Sequence, residues 1–208
     1  AAYVALPGRP EPTAFLSAGD IVGEFAAYFG GPRTATVLAQ DHLEALSIAP
    51  TLVRALARRY LSVRAQVEET ARDRARESLP FVSPLLRRLD SASRADICAR
   101  LVYRVVAEGE ALFVEGEDAA CIALVAAGEV ELYGGAMGPS RGPYARVGEA
   151  LGVTSVLLEE PAGLSARAVR EALVATLPAD EARALAQRHP RLYEALEDVD
   201  TPGRGVAC

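Results

Sequence analysis

The sequence predicts an α+β protein that is mainly β with flanking helices, and three observations support this class. In residues 1–40, short apolar runs such as AYVAL, TAFL and ATVLA are separated by proline and glycine turns, which is typical of β-strands. Residues 51–77 contain neither glycine nor proline, and their apolar positions recur at steps of three and four, as in an amphipathic helix. The second half of the chain repeats this order, with strand-like runs before a helical end.

The composition excludes several classes of protein. The 208 residues carry a net charge of −6, which argues against a nucleic-acid surface built on bulk charge. The chain has three cysteines, Cys98, Cys121 and Cys208, an odd number without metal-ligand spacing. We therefore expect reduced thiols in a cytoplasmic protein. No apolar run reaches the ~20 residues of a membrane span, and no signal peptide opens the chain. The start at Ala1, without methionine, suggests a cut end.

Two helices are predicted in the middle of the chain. The first covers residues 51–77, is apolar in its first half and polar in its second, and is broken by the Ser-Leu-Pro sequence at residues 78–80. A second helix is expected over residues 84–102, where Ser93 and Asp96 fit an N-terminal signature.

Strands and turns are predicted in the second half. The runs EALFVEGED, CIALVAAGEVELY and YARVGEALGV alternate apolar residues with turns, and residues 134–143 form a loop rich in glycine and proline. A last helix is expected over residues 178–196, followed by a loose tail at residues 199–208.

The chain also repeats itself. Residues 19–33 align without gaps on residues 148–162, so that two glycines and one proline coincide. Residues 44–50 similarly match residues 171–178, and both segments run into a helix. Two copies of one β-then-helix unit are therefore predicted, and the first copy lacks the N-terminal strands of the second.

The first copy contains a short motif with a specific spacing. VGEFA at residues 22–26 is followed by PRTATV at residues 32–37. This stretch resembles the phosphate-binding cassette of the cyclic-nucleotide-binding domain family, which has the form Phe-Gly-Glu-x-Ala and then Pro-Arg-(Ala/Ser/Thr)-Ala-(Thr/Ser)-Val. In the second copy, residues 108–133 look like the paired strands of the same family.

The resemblance implies tandem jelly-roll β-barrels with flanking helices. Residues 1–50 would be the C-terminal part of a first barrel, residues 51–78 a helical connector, and residues 79–198 a complete second domain. The tail at residues 199–208 would follow.

The small residues around one arginine indicate an anion site in the first copy. Arg33 can offer a charge-assisted fork, and the N-terminus of the short helix near Glu24 can add main-chain N–H groups. The resemblance implies that Glu24 accepts a hydrogen bond from the ribose 2′-hydroxyl and that Thr34 contacts guanine, so that cGMP is permitted and cAMP is not excluded. Lid candidates over the base are Leu56 and Tyr60. The expected ligand-binding residues are Gly23, Glu24, Phe25, Ala26, Arg33, Thr34 and Ala35.

Alternatives stay open at this site. Glu24 and Arg33 could simply be solvated loop charges, as most surface charges are. The second copy has Val153 and Ala162 at the matching positions, which predicts a fold without the chemistry, and Arg167 swinging into the phosphate position is a weaker alternative.

The sequence as a whole therefore predicts a cyclic-nucleotide-binding regulatory protein for cAMP or cGMP and not an enzyme. The rival hypothesis is a structural, oligomerisation or partner-docking module of a larger protein that has lost nucleotide binding. The apolar half of the long helix could be a dimer seam, and an effector domain is the other expected partner. A metal site is not expected, because only two histidines, His42 and His189, are present.

Overall fold

A computed structural model describes residues 2–6, 11–33, 35–135 and 142–189. Helices and antiparallel strands both occur in these residues, and the predicted α+β class is confirmed. The strands are β1 Ala2–Ala5, β2 Ala14–Leu16, β3 Thr36–Ala39, β4 Val102–Val106, β5 Ala111–Phe113, β6 Cys121–Ala127, β7 Val130–Tyr133, β8 Tyr144–Ala145, β9 Ala150–Leu151, β10 Ser165–Ala168 and β11 Ala172–Pro178. The helices are α1 Glu24–Tyr28, α2 Pro50–Arg59, α3 Leu61–Val82, α4 Pro84–Arg88, α5 Ser91–Cys98, α6 Val153–Leu158 and α7 Ala179–Arg188.

The second half of the chain forms two four-stranded antiparallel sheets. One has the order β4-β11-β6-β9 and the other the order β5-β10-β7-β8. Apolar side chains such as Val125, Val130 and Ala166 are buried in one cluster, so strand alternation places them inside this unit, which we call the second barrel. The strand predictions in this half are confirmed, except that β4 begins where the sequence predicted the end of a helix.

The first half contains one small sheet of three strands in the order β2-β1-β3. Tyr3 lies opposite Phe15 on one side and Leu38 on the other, and all four residues of β3 are exposed. No strand forms in residues 42–49, so the predicted likeness of residues 44–50 to residues 171–178 does not extend to a strand. The proposed domain limits stay a prediction, and the predicted tail lies outside the described residues.

The predicted single helix over residues 51–77 is wrong in both its continuity and its end. The backbone is extended at Tyr60, which separates α2 from α3, and α3 continues through Pro80. The break at Tyr60 lets Ala57 of α2 and Ala71 of α3 enter the same buried cluster. Leu79, which precedes the proline, is 1% exposed, and its burial in the core offsets the poor fit of proline in a helix.

The predicted helix over residues 84–102 is two helices, α4 and α5. Asp90 caps α5, because its side chain accepts hydrogen bonds from the N–H groups of Ala92 and Ser93. The N-terminal signature predicted at Ser93 and Asp96 was therefore wrong by one turn. The last predicted helix is confirmed as α7 up to Arg188, and residues 190–196 lie outside the described residues.

Candidate functional site

A cavity of about 780 Å³ lies between the small sheet, the start of α1 and the C-terminal half of α3. Its volume falls in the range of small-molecule sites. Apolar residues of β1, β2 and β3 line it, together with the first three residues of α1 and three polar residues of α3. Six predicted ligand-binding residues line it: Gly23, Glu24, Phe25, Ala26, Arg33 and Ala35. The seventh, Thr34, lies outside the described residues.

Arg33 lies across the first turn of α1. Its Nη1 atom donates a hydrogen bond of 2.8 Å to the carbonyl oxygen of Gly23. Gly23 has φ of +79°, and a Cβ atom there would lie 1.9 Å from that nitrogen, so only glycine allows this contact. No ion pair engages Arg33 among the described residues, and it is exposed at the mouth of the cavity. Apart from the N–H group bound to Gly23, its guanidinium is therefore available to an anion.

Glu24 is buried, at 7% exposure, and it is held by an arginine that the sequence analysis missed. Nη1 of Arg74 lies 2.7 Å from one carboxylate oxygen of Glu24 and 2.8 Å from the other. Nη2 of Arg74 donates to the carbonyl oxygen of Ile21 at 2.7 Å. A buried carboxylate needs such a partner, because an unpaired buried charge is costly. This requirement is the one signal that could have prompted a search of the sequence for a cation. The neighbouring sequence does not single out Arg74, since Arg72 and Arg76 share the same polar run.

The lid candidates do not reach the cavity. Leu56 and Tyr60 are exposed, and neither lines the cavity. The reason is the break at Tyr60, after which α3 and not α2 runs beside the cavity. Arg74, Glu77 and Ser78 of α3 line it in their place.

The matching place in the second barrel is filled with apolar groups. Gly152 precedes α6 with φ of +73°, much as Gly23 precedes α1, but a Cβ atom on Gly152 would lie 2.7 Å from the ring of Phe113. Val153 and Ala162, which match Glu24 and Arg33, are 3% and 6% exposed. Both side chains are therefore inside the core.

Arg167 does not turn toward that place. Its Nε donates to Glu131 at 2.8 Å, and its guanidinium lies 4.7 Å from the centre of the Tyr133 ring. The hydrogen bond to Glu131 raises the pKa of Arg167. The alternative in which Arg167 replaces the missing arginine was therefore wrong for this conformation.

Comparison with known proteins agrees with this architecture. The family model of the cyclic nucleotide-binding domain matches residues 103–189. Over these residues the chain is similar to a cyclic nucleotide-binding domain. A protein of Ruegeria pomeroyi DSS-3 assigned as a cyclic nucleotide binding protein has a TM-score of 0.52 at 26% identity, over 60% of this chain and 56% of its own. A protein of Silicibacter pomeroyi DSS-3 assigned as a cAMP-binding regulatory protein gives the same score and identity, over 60% and 58%.

One curated relative covers more of the chain. Patatin-like phospholipase domain-containing protein 6 of Pongo abelii is 26% identical over 181 residues, which is 86% of this chain. The chain spans 12% of the length of that relative and less than two thirds of either bacterial structure. The jelly-roll fold predicted from the cassette is thus confirmed for the cyclic nucleotide-binding domain.

Polar groups where α7 meets α5 have structural roles. His189 lies 3.1 Å from Asp96 and 3.0 Å from the hydroxyl of Ser93. Ser93 is 2% exposed and donates to Asp90, so this serine is not an accessible nucleophile. The network joins the end of α7 to α5, and the hydrogen bond from His189 lowers the pKa of Asp96.

No group of metal-ligating side chains occurs in the part of the chain that the structure describes. His42 is exposed in a loop, 3.8 Å from Glu44. Cys98 and Cys121 are free thiols whose pKa values are raised by burial. Among the described helices, a membrane-spanning segment of sufficient length and apolarity is not found.

Proposed function

We propose that this chain is a regulatory segment that binds cAMP or cGMP in the cavity beside α1. One observation carries the proposal: the cavity brings Gly23, Glu24 and Arg33 together, although the last two are separated by a helix and a turn. Their spacing in the sequence resembles a phosphate-binding cassette, and the fold assigns them one space large enough for a small ligand.

The phosphate would bind at Arg33. A cyclic phosphate carries one negative charge, and a guanidinium can donate two directed hydrogen bonds to its two exocyclic oxygens. The N–H groups of Phe25 and Ala26 lie in the first turn of α1, where helix N–H groups lack intrahelical partners. The absence of a large side chain at Ala26 permits close approach of the phosphate to the backbone.

The ribose would bind at Glu24. A carboxylate has about four acceptor positions, so Glu24 can keep its contact with Arg74 and still accept a hydrogen bond from a hydroxyl. Arg74 would then orient the acceptor and neutralise its charge, which limits repulsion between Glu24 and the phosphate.

The second barrel would not bind a nucleotide. Phe113, Val153 and Ala162 supply a ring and two apolar side chains at the corresponding place. Arg167, the candidate cation among the described residues, is paired with Glu131, and a buried phosphate without a paired cation is costly. Its role in this proposal is structural, or docking to an effector domain or to a second copy of the chain.

Calorimetric titration of cAMP and cGMP against the 208-residue chain tests the proposal. We expect binding of at least one nucleotide and a loss of about tenfold or more in affinity for Arg33→Ala, because a charge-assisted hydrogen bond contributes about 1.5–3 kcal/mol. Arg58→Ala is the matched control, since Arg58 is an exposed arginine outside the cavity. No heat with either nucleotide would refute the proposal.

A second candidate function is a docking module that has lost nucleotide binding. Its support is that Arg74 already occupies the carboxylate of Glu24 and that the chain corresponds to 12% of a much longer relative. Absorbance at 260 nm of the purified chain separates the two candidates, because a retained nucleotide would be detected only in the first. Under either candidate we expect a regulatory, non-catalytic part of a cytoplasmic protein.

A further inference from the structure

The two ends of helix α1 have different surroundings. Its first residues, Glu24 to Ala26, line the cavity. Its last residue, Tyr28, and the following Phe29 are buried at 7% and 2% exposure. Their rings meet edge to face, with centroids 4.8 Å apart. The helix therefore lies between the cavity and a second buried region.

That buried region includes the surface of the second barrel. Tyr28 and Phe29 belong to one apolar cluster with Ala126 and Ala127 of β6 and Leu173 of β11. The other members come from α2, α3 and the adjoining strand β4, and Phe25 of α1 also packs against the cluster. Ala71 and Ala75 of α3 are completely or almost completely buried in this cluster, and their small size lets α3 approach closely.

A polar contact at Glu171 reinforces the packing. Nη2 of Arg64, on α3, lies 2.8 Å from Oε1 of Glu171, in the turn before β11. The hydroxyl of Tyr28 also faces this carboxylate, and burial together with the contact to Glu171 raises the pKa of Tyr28 to about 12. Glu171 thus holds one group from α1 and one from α3.

Two turns of the second barrel receive the end of α1. A Cβ atom on Gly31 would lie 3.5 Å from the carbonyl oxygen of Gly128, in the β6–β7 turn. A Cβ atom on Gly30 would lie 3.8 Å from Nη1 of Arg170, in the β10–β11 turn. The backbone after α1 therefore runs close to both turns.

We propose that the second barrel detects occupancy of the cavity through α1, with Glu171 as the residue that couples them. The coupling rests on the proposed function for its ligand, but the contact itself exists without one. A helix of five residues is too short to bend between its two ends, so a shift at Glu24 moves Tyr28 and Phe29 as well. Densely packed contacts do not absorb such a shift, and the barrel surface must respond.

Amide hydrogen exchange on the full chain tests this inference in two arms. Without nucleotide, Glu171→Gln should raise exchange at the amides of Ala27 and Phe29, which close the turns of α1, by about fivefold or more. With saturating cAMP or cGMP, the original chain should show changed exchange at amides of β6 and β11. Glu171→Gln and Tyr28→Phe should bind nucleotide but lose most of that change.

Glu110→Gln is the matched control, because Glu110 is a carboxylate of the same barrel that pairs with Arg104 at 2.6 Å. It should leave exchange in α1 at the original rates. Unchanged α1 exchange in Glu171→Gln would overturn the inference even if no nucleotide binds. A full response of β6 and β11 in Glu171→Gln would also overturn it. Failure of both nucleotides to bind refutes the proposed function and with it the response to occupancy, whereas the first arm still decides whether Glu171 holds α1 against the barrel.

Discussion

Arg74 holds Glu24 through one guanidinium nitrogen, which lies 2.7 and 2.8 Å from the two carboxylate oxygens. Glu24 is the first residue of α1, and Arg74 lies fifty positions later on α3. The second nitrogen of Arg74 binds the carbonyl oxygen of Ile21, so one side chain fixes both the turn and the first residue of α1. The cavity wall therefore depends on an ion pair between two distant parts of the chain.

Removal of Arg74 should destabilise the fold. Arg74→Ala leaves the carboxylate of Glu24 buried with no cation, and we expect a loss of about 2 kcal/mol in the free energy of unfolding. This value is at the lower end for a buried charge, because Arg74 is itself 37% exposed and water can enter where it was. Urea unfolding followed by circular dichroism measures the change.

Two variants check that mechanism. Arg58→Ala removes an exposed arginine and should change stability by no more than about 0.5 kcal/mol. Glu24→Gln in the Arg74→Ala background should recover part of the loss, because a neutral amide is less costly to bury than a charge. Equal stability of the single and double variants would contradict an uncompensated charge as the cause.

Gly23 should be essential to the site for a reason separate from its backbone angle. Gly23→Ala introduces a Cβ atom 1.9 Å from Nη1 of Arg33, and this contact must displace the arginine. Gly19→Ala is the matched control, because Gly19 has φ of +95° and its new methyl group would have no heavy-atom neighbour within 4 Å. Both variants should lose about 1 kcal/mol of stability from backbone strain.

Nucleotide affinity should separate these two glycine variants. We expect Gly23→Ala to weaken cAMP or cGMP binding about tenfold or more in calorimetry, and Gly19→Ala to retain the original affinity. Equal affinities would mean that the position of Arg33 is unimportant to the ligand.

The proximity of the predicted site residues follows from local sequence, whereas their binding of a ligand stays a prediction. Gly23, Glu24 and Arg33 lie in one short stretch, and the turn and helix between them bring their side chains to one space. Arg74 could not be recognised in this way. It is one of several arginines in a polar helix, and its role arises only from how α3 crosses α1.

The helix boundaries also could not be predicted from local sequence. Tyr60 has no glycine or proline beside it, so the break between α2 and α3 follows from packing around Ala57 and Ala71 and not from local preference. Pro80 is a strong local signal for an end, but burial of Leu79 keeps the helix intact for three more residues. Tertiary contacts outweighed helix propensity at both places.

Alkaline pH should weaken the contact between α1 and the second barrel. The pKa of Tyr28 is raised from 10.0 to about 12, so the folded chain holds this proton more tightly than the unfolded chain. The stabilisation is complete below about pH 10 and is lost as the pH rises toward 12. Tyr103 has a pKa raised to about 12 by burial and contributes in the same window.

Urea unfolding across this window measures the effect, and the absence of lysine from the chain simplifies it. Tyr28→Phe should reduce the fall in stability, whereas Tyr144→Phe, at an exposed position, should leave the curve unchanged. A Tyr28→Phe curve identical to the original would show that this phenol does not govern alkaline stability.

Acid should weaken α5 through its cap. Hydrogen bonds from the Ser93 side chain and from the Ser93 backbone lower the pKa of Asp90 from 3.8 to about 2. The folded chain therefore favours the carboxylate, and its contribution is present above about pH 3.8 and lost as the pH falls through 2. Asp90→Asn keeps a capping oxygen but cannot titrate, so its stability should fall less over this interval. If the stability of the original chain and of Asp90→Asn falls equally with pH in urea unfolding, the cap is not the cause of the acid sensitivity.

Introducing a glutamate and an arginine into the second barrel should not create a site. Val153→Glu with Ala162→Arg places them at the positions that align in sequence with Glu24 and Arg33, yet both positions are at most 6% exposed and the Phe113 ring fills the adjacent space. The new charges would have to leave water inside an apolar core, so we expect a less stable chain and no added nucleotide binding. Calorimetry in the Arg33→Ala background isolates the second barrel.

Adding Phe113→Ala tests the ring itself. This change should open space at a cost of about 3–5 kcal/mol in the free energy of unfolding, so the barrel must lose stability before it can admit a ligand. Nucleotide binding by the two-residue variant with Phe113 intact would show that the ring does not close this barrel.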